Sequence, residues 1–138
     1  MKLSEAQCRD RFDGARVLRL ATADADGRPH LVPATFVRRG EEIAIAVDSK
    51  PKSNRNLKRL RNIIENPAVS VLVDQYDDGW QHLWWVRADG DAAVVDITSE
   101  ARLTDALVER YPQYREAFPK GPLIVISVHK WVGWSISG

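Results

Sequence analysis

The side chains best suited to chemistry lie between Ser49 and Asn62. From Lys50 to Arg61 stand six basic residues (Lys50, Lys52, Arg55, Lys58, Arg59, Arg61) and no acidic one. Ser49, Ser53 and Asn54 add neutral donors at the same place. The segment begins where a strand is predicted to end and runs into a helix. Amides at a helix N-terminus attract anions, while Lys and Arg supply full charges and forked donors. The pattern therefore suits a phosphate or phosphodiester group. The competing reading is an ordinary solvated cationic helix face, against which the lysines flanking Pro51 speak. Nucleic acid is a poorer match. One short basic segment followed by Asp74, Asp77 and Asp78 makes a weak groove-tracking surface.

No hydrolytic constellation accompanies the basic segment. HExxH, GxSxG, Walker-type and GxGxxG signatures are absent from the sequence. His30, His82 and His129 sit in different segments without metal-like spacing, and read as surface or strand-face residues. Five tryptophans are present: Trp80, Trp84 and Trp85 follow an Asp77-Asp-Gly turn, and Trp131 and Trp134 lie near the C-terminus. In a strand, Trp84 and Trp85 point to opposite faces. One then enters a core, and the other meets solvent, a ligand or a second subunit. Core packing on both sides is the alternative. Trp131 and Trp134, three apart, divide between faces in the same way.

The elements that must position these residues follow from composition and periodicity. A chain of 138 residues fits one domain, residues 1–138. It buries roughly two thirds of its unfolded surface, enough to fold without a disulfide or a structural metal. The single Cys8 has no partner within the chain. The charged start MKLSEAQCRD lacks the apolar core of a signal peptide. A reducing, cytoplasmic setting is the expectation. No apolar run approaches the roughly 18 residues of a membrane span, and a net charge of +1 does not fit a dedicated nucleic-acid binder.

Residues 4–15 read as a helix capped by Ser4 with Gln7 three residues on. Residues 16–22 read as a strand, Asp24 to Arg28 as a turn with Gly27 at positive φ, and His30 to Val37 as the returning arm. Gly40 marks another turn before a strand from Glu42 to Val47. Leu57, Leu60, Ile63 and Ile64 switch to helical spacing over 54–65, ended by Asn66-Pro67. Strands are then expected over 69–73, 81–88 and 91–96, with a turn at Gly90, and over 123–128 and 131–135. A helix over 98–110 is expected to be capped by Thr98 or Ser99. Strands joined by tight turns favour an antiparallel barrel over a parallel sheet.

Three runs in this order resemble one family. Leu20-Ala-Thr-Ala-Asp-Ala-Asp-Gly-Arg-Pro-His-Leu-Val-Pro is similar to the opening hairpin of the pyridoxamine-5′-phosphate-oxidase-like superfamily. Leu60-Arg-Asn-Ile-Ile-Glu-Asn-Pro-Ala-Val-Ser-Val resembles its helix-to-strand signature. The run from Asp78 to Ala92 resembles the coenzyme F420-dependent subgroup of actinobacteria. The likeness spans roughly residues 5 to 135.

The resemblance implies a mainly β fold with flanking helices, an antiparallel split β-barrel of the FMN-binding type. It implies a homodimer with cofactor sites at the subunit interface. The cofactor ring would lie against Pro33, Ala34, Thr35 and Phe36. The phosphate end would be held by Ser49, Lys50, Lys52, Lys58 and Arg59, with Asn62 nearby. Between Pro51 and Asn62 the chain is about three residues longer than several relatives, which leaves Lys58 and Arg59 as leading phosphate ligands. A second subunit would contribute Trp80 and His82. No catalytic residue is assigned, and His82 is the one side chain weighed as a proton donor.

The implied activity is hydride transfer between coenzyme F420 and a small unsaturated or quinone-like substrate. The alternatives are an FMN-binding reductase or oxidase, and a non-catalytic carrier of a flavin or haem-like ligand. A nucleic-acid or protein-interaction module is a further class.

Overall fold

Local chemistry fixes the first helix, α1 (Glu5–Gly14). The Ser4 hydroxyl accepts the Gln7 N–H at 3.2 Å, and the Gln7 side chain accepts the Ser4 N–H at 2.8 Å. This reciprocal cap satisfies two amide donors the helix leaves open. Cys8 and Phe12, four apart on one face, are both buried. The computed structural model describes residues 1–47, 54–118 and 120–137, with the backbone alone for residues 54–57.

Among the described residues, seven strands form one antiparallel sheet. They are β1 (Leu18–Ala23), β2 (Pro29–Ala34), β3 (Val37–Arg39), β4 (Glu42–Ala46), β5 (Ala68–Gln75), β6 (Trp84–Val95) and β7 (Leu123–Ser135). Their order across the sheet is β2-β1-β5-β6-β7-β4-β3. Helices α2 (Asn54–Glu65), α3 (Ala101–Arg110) and the short α4 (Gln113–Glu116) complete the chain. Gly27 at φ 82° and Gly40 at φ 61° turn the two hairpins, the conformation that favours glycine.

Alternating side chains of β1, β4, β5, β6 and β7 meet in one core with Phe12 and Ile63. The sheet is therefore curled round its own inner face, in an antiparallel split barrel. Phe12 anchors this core, with ring centroids 4.7 Å from Phe36 and 5.3 Å from Trp131. A second core lies where Val37, Ala44, Leu123 and Val125 meet Leu103 and Leu107 of α3.

Several expected boundaries move. The arm expected over His30–Val37 ends at Ala34, and a separate β3 begins at Val37. At the break, the Phe36 side chain is fully buried in the first core while Val37 enters the second. Trp80-Gln-His82 is a 3-10 turn, so β6 starts at Trp84 rather than at Gln81. Gly90 is no turn: β6 runs straight through it, with a register shift at Asp89/Gly90. The two strands expected over 123–128 and 131–135 are one, since β7 stays paired with β6 on both sides of that bulge. Thr98 and Ser99 do not cap α3, because both hydroxyls bond back to Asp96.

Trp84 and Trp85 do point to opposite faces. Trp84 packs against the first core with the Arg11 guanidinium 5.4 Å above its ring. Trp85 pairs across the outer face with Trp134, while Trp131 is buried inside.

A Cβ on Gly90 would overlap the Ser127 carbonyl oxygen and press on Ile126. Gly90→Ala is expected to cost about 1–3 kcal/mol, the usual range for forcing a close-packed contact. The urea midpoint measures this, and an unchanged midpoint would show that the strands part easily there.

Candidate functional site

Helix α2 is amphipathic: Leu60 and Ile63 pack on the first core, while Arg61 and Ile64 face outward. Asn62 points inward as well and is almost wholly buried. Its Nδ2 donates to Thr22 Oγ1 at 3.1 Å, which ties the helix to the inner face of β1. Two further contacts fasten α2 to the β1–β2 turn. Lys58 Nζ stands 3.7 Å from Asp24 Oδ2, and Glu65 Oε2 accepts the Ala25 N–H at 3.3 Å.

The Asp24 carboxylate accepts the Arg28 and Asp26 N–H groups, each at 2.9 Å. The Arg28 amide, helped by the Asp26 amide and Lys58, outweighs the opposing desolvation and holds Asp24 below the usual carboxylate range. His30 lies opposite Thr22 in the hairpin register. Burial, then the nearby Arg59 and Lys58 charges, lower its pKa, so the neutral ring is favoured. Burial also pulls down the half-buried Arg59, whose guanidinium stays charged at neutral pH. Asn62 Oδ1 and His30 Nδ1 are buried with no hydrogen-bond partner among the described residues. The corner is thus cationic, partly dry and rich in donors. It can hold an anion, and among the described residues it contains no nucleophile with a base beside it. Ser49, Lys50 and Lys52 fall outside the described residues.

The end of β2 presents a different surface. Pro33 is exposed, and Ala34 packs on the first core. Thr35 is half-buried, with Oγ1 2.7 Å from Tyr114 Oη. Phe36 does not reach the surface. Its ring is in the core under the Arg110 guanidinium, 4.6 Å away, and its N–H donates to Tyr111 Oη at 3.1 Å. Tyr111 and Tyr114 escaped the sequence reading, since they meet β2 from more than seventy residues away. The spacing Tyr111-Pro-Gln-Tyr114, from the end of α3 into α4, was the available signal.

The third group stands apart. Trp80 is 68% exposed, and His82 Nδ1 is 3.9 Å from Asp77 Oδ2 on an open loop. That loop joins β5 to β6 where Gln75 pairs with Trp84. The Thr22–Asn62 contact lies near the rung of Ser70 and Asp89. Five residues of strand, about 17 Å, separate Asp89 from Trp84. Within one chain, Lys58, Arg59 and Asn62 come together and Trp80 and His82 do not join them.

The outer sheet face carries a groove of about 370 Å³, with Ala21, Ala23, Ala68 and Gly90 in its lining. Ser70 and Asp89 edge it. Ser70 Oγ donates to Asp89 Oδ1 at 2.7 Å, and Arg87 donates to both carboxylate oxygens at 3.0 and 3.2 Å. Burial alone would raise the Asp89 pKa, but the Ser70 and Arg87 bonds outweigh it and keep the group ionised. Among the described residues, α1 and α2 pack on the first core, and α3 packs on the outer face of β3, β4 and β7 rather than over this groove.

A seven-stranded antiparallel split barrel with a cationic helix against its first hairpin defines a fold with solved counterparts. A FAD-binding protein from Mesorhizobium loti is 22% identical, with 96% of this chain and 93% of that one covered at a TM-score of 0.75. HutZ, a heme storage protein from Vibrio cholerae, is 21% identical over 100% of both chains, also at 0.75. A conserved hypothetical protein from Mycobacterium tuberculosis is 25% identical, with 97% and 86% covered at 0.75. No curated protein matches the chain. The family profile for pyridoxamine 5′-phosphate oxidase matches residues 4–135. The chain belongs to that family. Among the described residues, no helix is long and apolar enough to cross a membrane.

Two measurements probe the cationic corner. Asn62→Ala removes the tie to Thr22 and is expected to cost about 1–3 kcal/mol in urea unfolding; no loss would mean the helix is held without it. His30 titrates below its ordinary value of about 6.5, so the folded chain binds fewer protons than the unfolded one. Its contribution is greatest above that value and is lost as pH falls through the lower folded-state value. His30→Asn is expected to flatten the decline in stability between about pH 7 and pH 5. An equally steep decline would assign it to other groups.

Proposed function

We propose that this chain is a single cofactor-binding domain. In this reading it works as a homodimeric oxidoreductase dependent on coenzyme F420, reducing a small unsaturated or quinone-like compound. The observation that carries the reading is the corner where Lys58 and half-buried Arg59 flank His30 and the Asn62–Thr22 bond. Such a corner suits the phosphate-bearing tail of a planar redox cofactor. Asp24 does not oppose it, because two amides and Lys58 already engage that carboxylate. Ser49, Lys50 and Lys52 precede the same helix and add to its cationic approach.

A bound flavin or deazaflavin supplies the hydride chemistry, and the protein binds, orients and excludes water. Exposed Pro33 and the Thr35 hydroxyl offer the ring a wall on β2. Phe36 serves from behind, as packing under that wall. Trp80 and His82 stand too far along the sheet to complete the site in the same chain, so a second copy is assigned that part. The outer face supports this pairing: Leu31 is 68% exposed, and Leu72, Val132, Trp85 and Trp134 are partly so, with no helix over them among the described residues.

The preference for the deazaflavin rests on the resemblance of the Asp78–Ala92 run. FMN is the alternative, supported by relatives named as FAD-binding proteins from Mesorhizobium loti and Mycobacterium smegmatis. A non-catalytic carrier has the heme storage protein in its favour, which this chain matches end to end.

Titration of the purified protein with coenzyme F420, FMN and FAD tests the proposal. Tight binding of F420 with turnover of a quinone acceptor is expected. Binding without turnover on any acceptor favours the carrier. Lys52→Ala and Arg59→Ala are each expected to weaken binding by about 1–3 kcal/mol, the loss of one charged hydrogen bond. Parent-like affinity in both variants would remove the phosphate assignment.

A further inference from the structure

Thr35 and Tyr114 hold each other at the point where β2 ends. Their hydroxyl oxygens lie 2.7 Å apart, partly buried, and either can be the donor. Each hydroxyl brings one hydrogen, and the bond between them consumes one. Among the described residues neither makes a second hydrogen bond. The pair therefore retains one O–H for an outside acceptor.

Tyr111 provides the contrast. Its Oη accepts the Phe36 N–H at 3.1 Å and lies 2.9 Å from the Arg16 and Phe36 carbonyl oxygens. Its single hydrogen is thus committed to the backbone. The two tyrosine rings meet edge to face, with centroids 5.8 Å apart at 73°. Tyr111 fixes the chain behind Phe36, and that ring contact in turn fixes where Tyr114 stands. Arg110 adds to the clamp by donating to the Asp13 and Ala15 carbonyls. This bracing joins Arg110, Tyr111 and Tyr114 to α1, to Arg16 just before β1 and to the end of β2. It holds one hydroxyl rigidly beside exposed Pro33.

We propose that Thr35 and Tyr114 act as one unit of the ligand site. Tyr114 is a positioning residue that locks the Thr35 hydroxyl. The pair offers one O–H donor to a carbonyl or ring-nitrogen acceptor of a planar heterocycle lying along β2. The inference rests on the cofactor site proposed above and adds to it a contact from the segment after α3.

The test compares the parent with Thr35→Val, Tyr114→Phe and the double variant. For each, the affinity and absorption spectrum of bound FMN and bound coenzyme F420 are measured, together with thermal melting. Each single variant is expected to weaken binding about five- to tenfold, the size of one uncharged hydrogen bond. Each should shift the bound cofactor's absorption band in the same direction. The double variant should bind no worse than the weaker single one, because both changes break one unit. Thr35→Ser, which keeps the hydroxyl, should restore the parent spectrum.

A parent-like spectrum and affinity in both single variants, with lowered melting alone, would reduce the pair to a structural tie and overturn the inference. Additive losses in the double variant would overturn it too. Should Tyr114→Phe not fold, Thr35→Val and Thr35→Ser still decide between the two outcomes. A parent that binds neither cofactor removes the proposed site and this contact with it. A parent that binds while the variants are indifferent removes the contact alone.

Discussion

The close approach of β6 to β7 at Gly90 is the constraint on which the rest of the sheet depends. A side chain there would strike the Ser127 carbonyl, and its absence lets two long strands stay paired through a bulge from Leu123 to Ser135. On one side of that bulge β7 helps line the first core, and on the other it also backs α3. A bulge bends a strand and strengthens its twist. The curled sheet that results gives the barrel an inside for Phe12, while α3 covers the outer face where β3, β4 and β7 meet it.

That geometry decides where chemistry can happen. The first hairpin and α2 share one end, joined by Asn62–Thr22 and Lys58–Asp24. The Trp80 loop is set at the other end by the β5–β6 pairing. A cationic corner and an exposed tryptophan are thereby held apart in a single chain. An outer face of Leu31, Leu72, Trp85, Val132 and Trp134 lies between them. The proposed homodimer removes this separation without moving an element, since a second copy laid on that face can bring its own loop to the first copy's corner.

Much of this was legible in the residues. Capping at Ser4 and Gln7, the positive φ of Gly27, the turn at Gly40 and the period change over α2 follow from local chemistry, and each formed as expected. The misread boundaries have one cause. Gly90 and the 129–130 step look like strand ends in one dimension while Thr35-Phe36 looks like the middle of an arm, and only pairing with a distant strand or helix says otherwise. The Thr98 and Ser99 hydroxyls could serve a cap or an Asx turn, and Asp96 won them. At the site, the basic run and Asn62 announced a cationic corner against the first hairpin. Two neighbourhoods were not announced: His30 came to stand beside Arg59 in that corner, and Tyr111 and Tyr114 reached the end of β2 through the second core.

The claim that two copies share each site is tested most directly by measuring cofactor affinity against protein concentration, with sedimentation equilibrium on the same samples. Affinity is expected to fall as dilution splits the dimer, and saturating cofactor should hold the dimer together at lower concentration. A strictly monomeric chain that binds one cofactor with undiminished affinity would contradict the shared site.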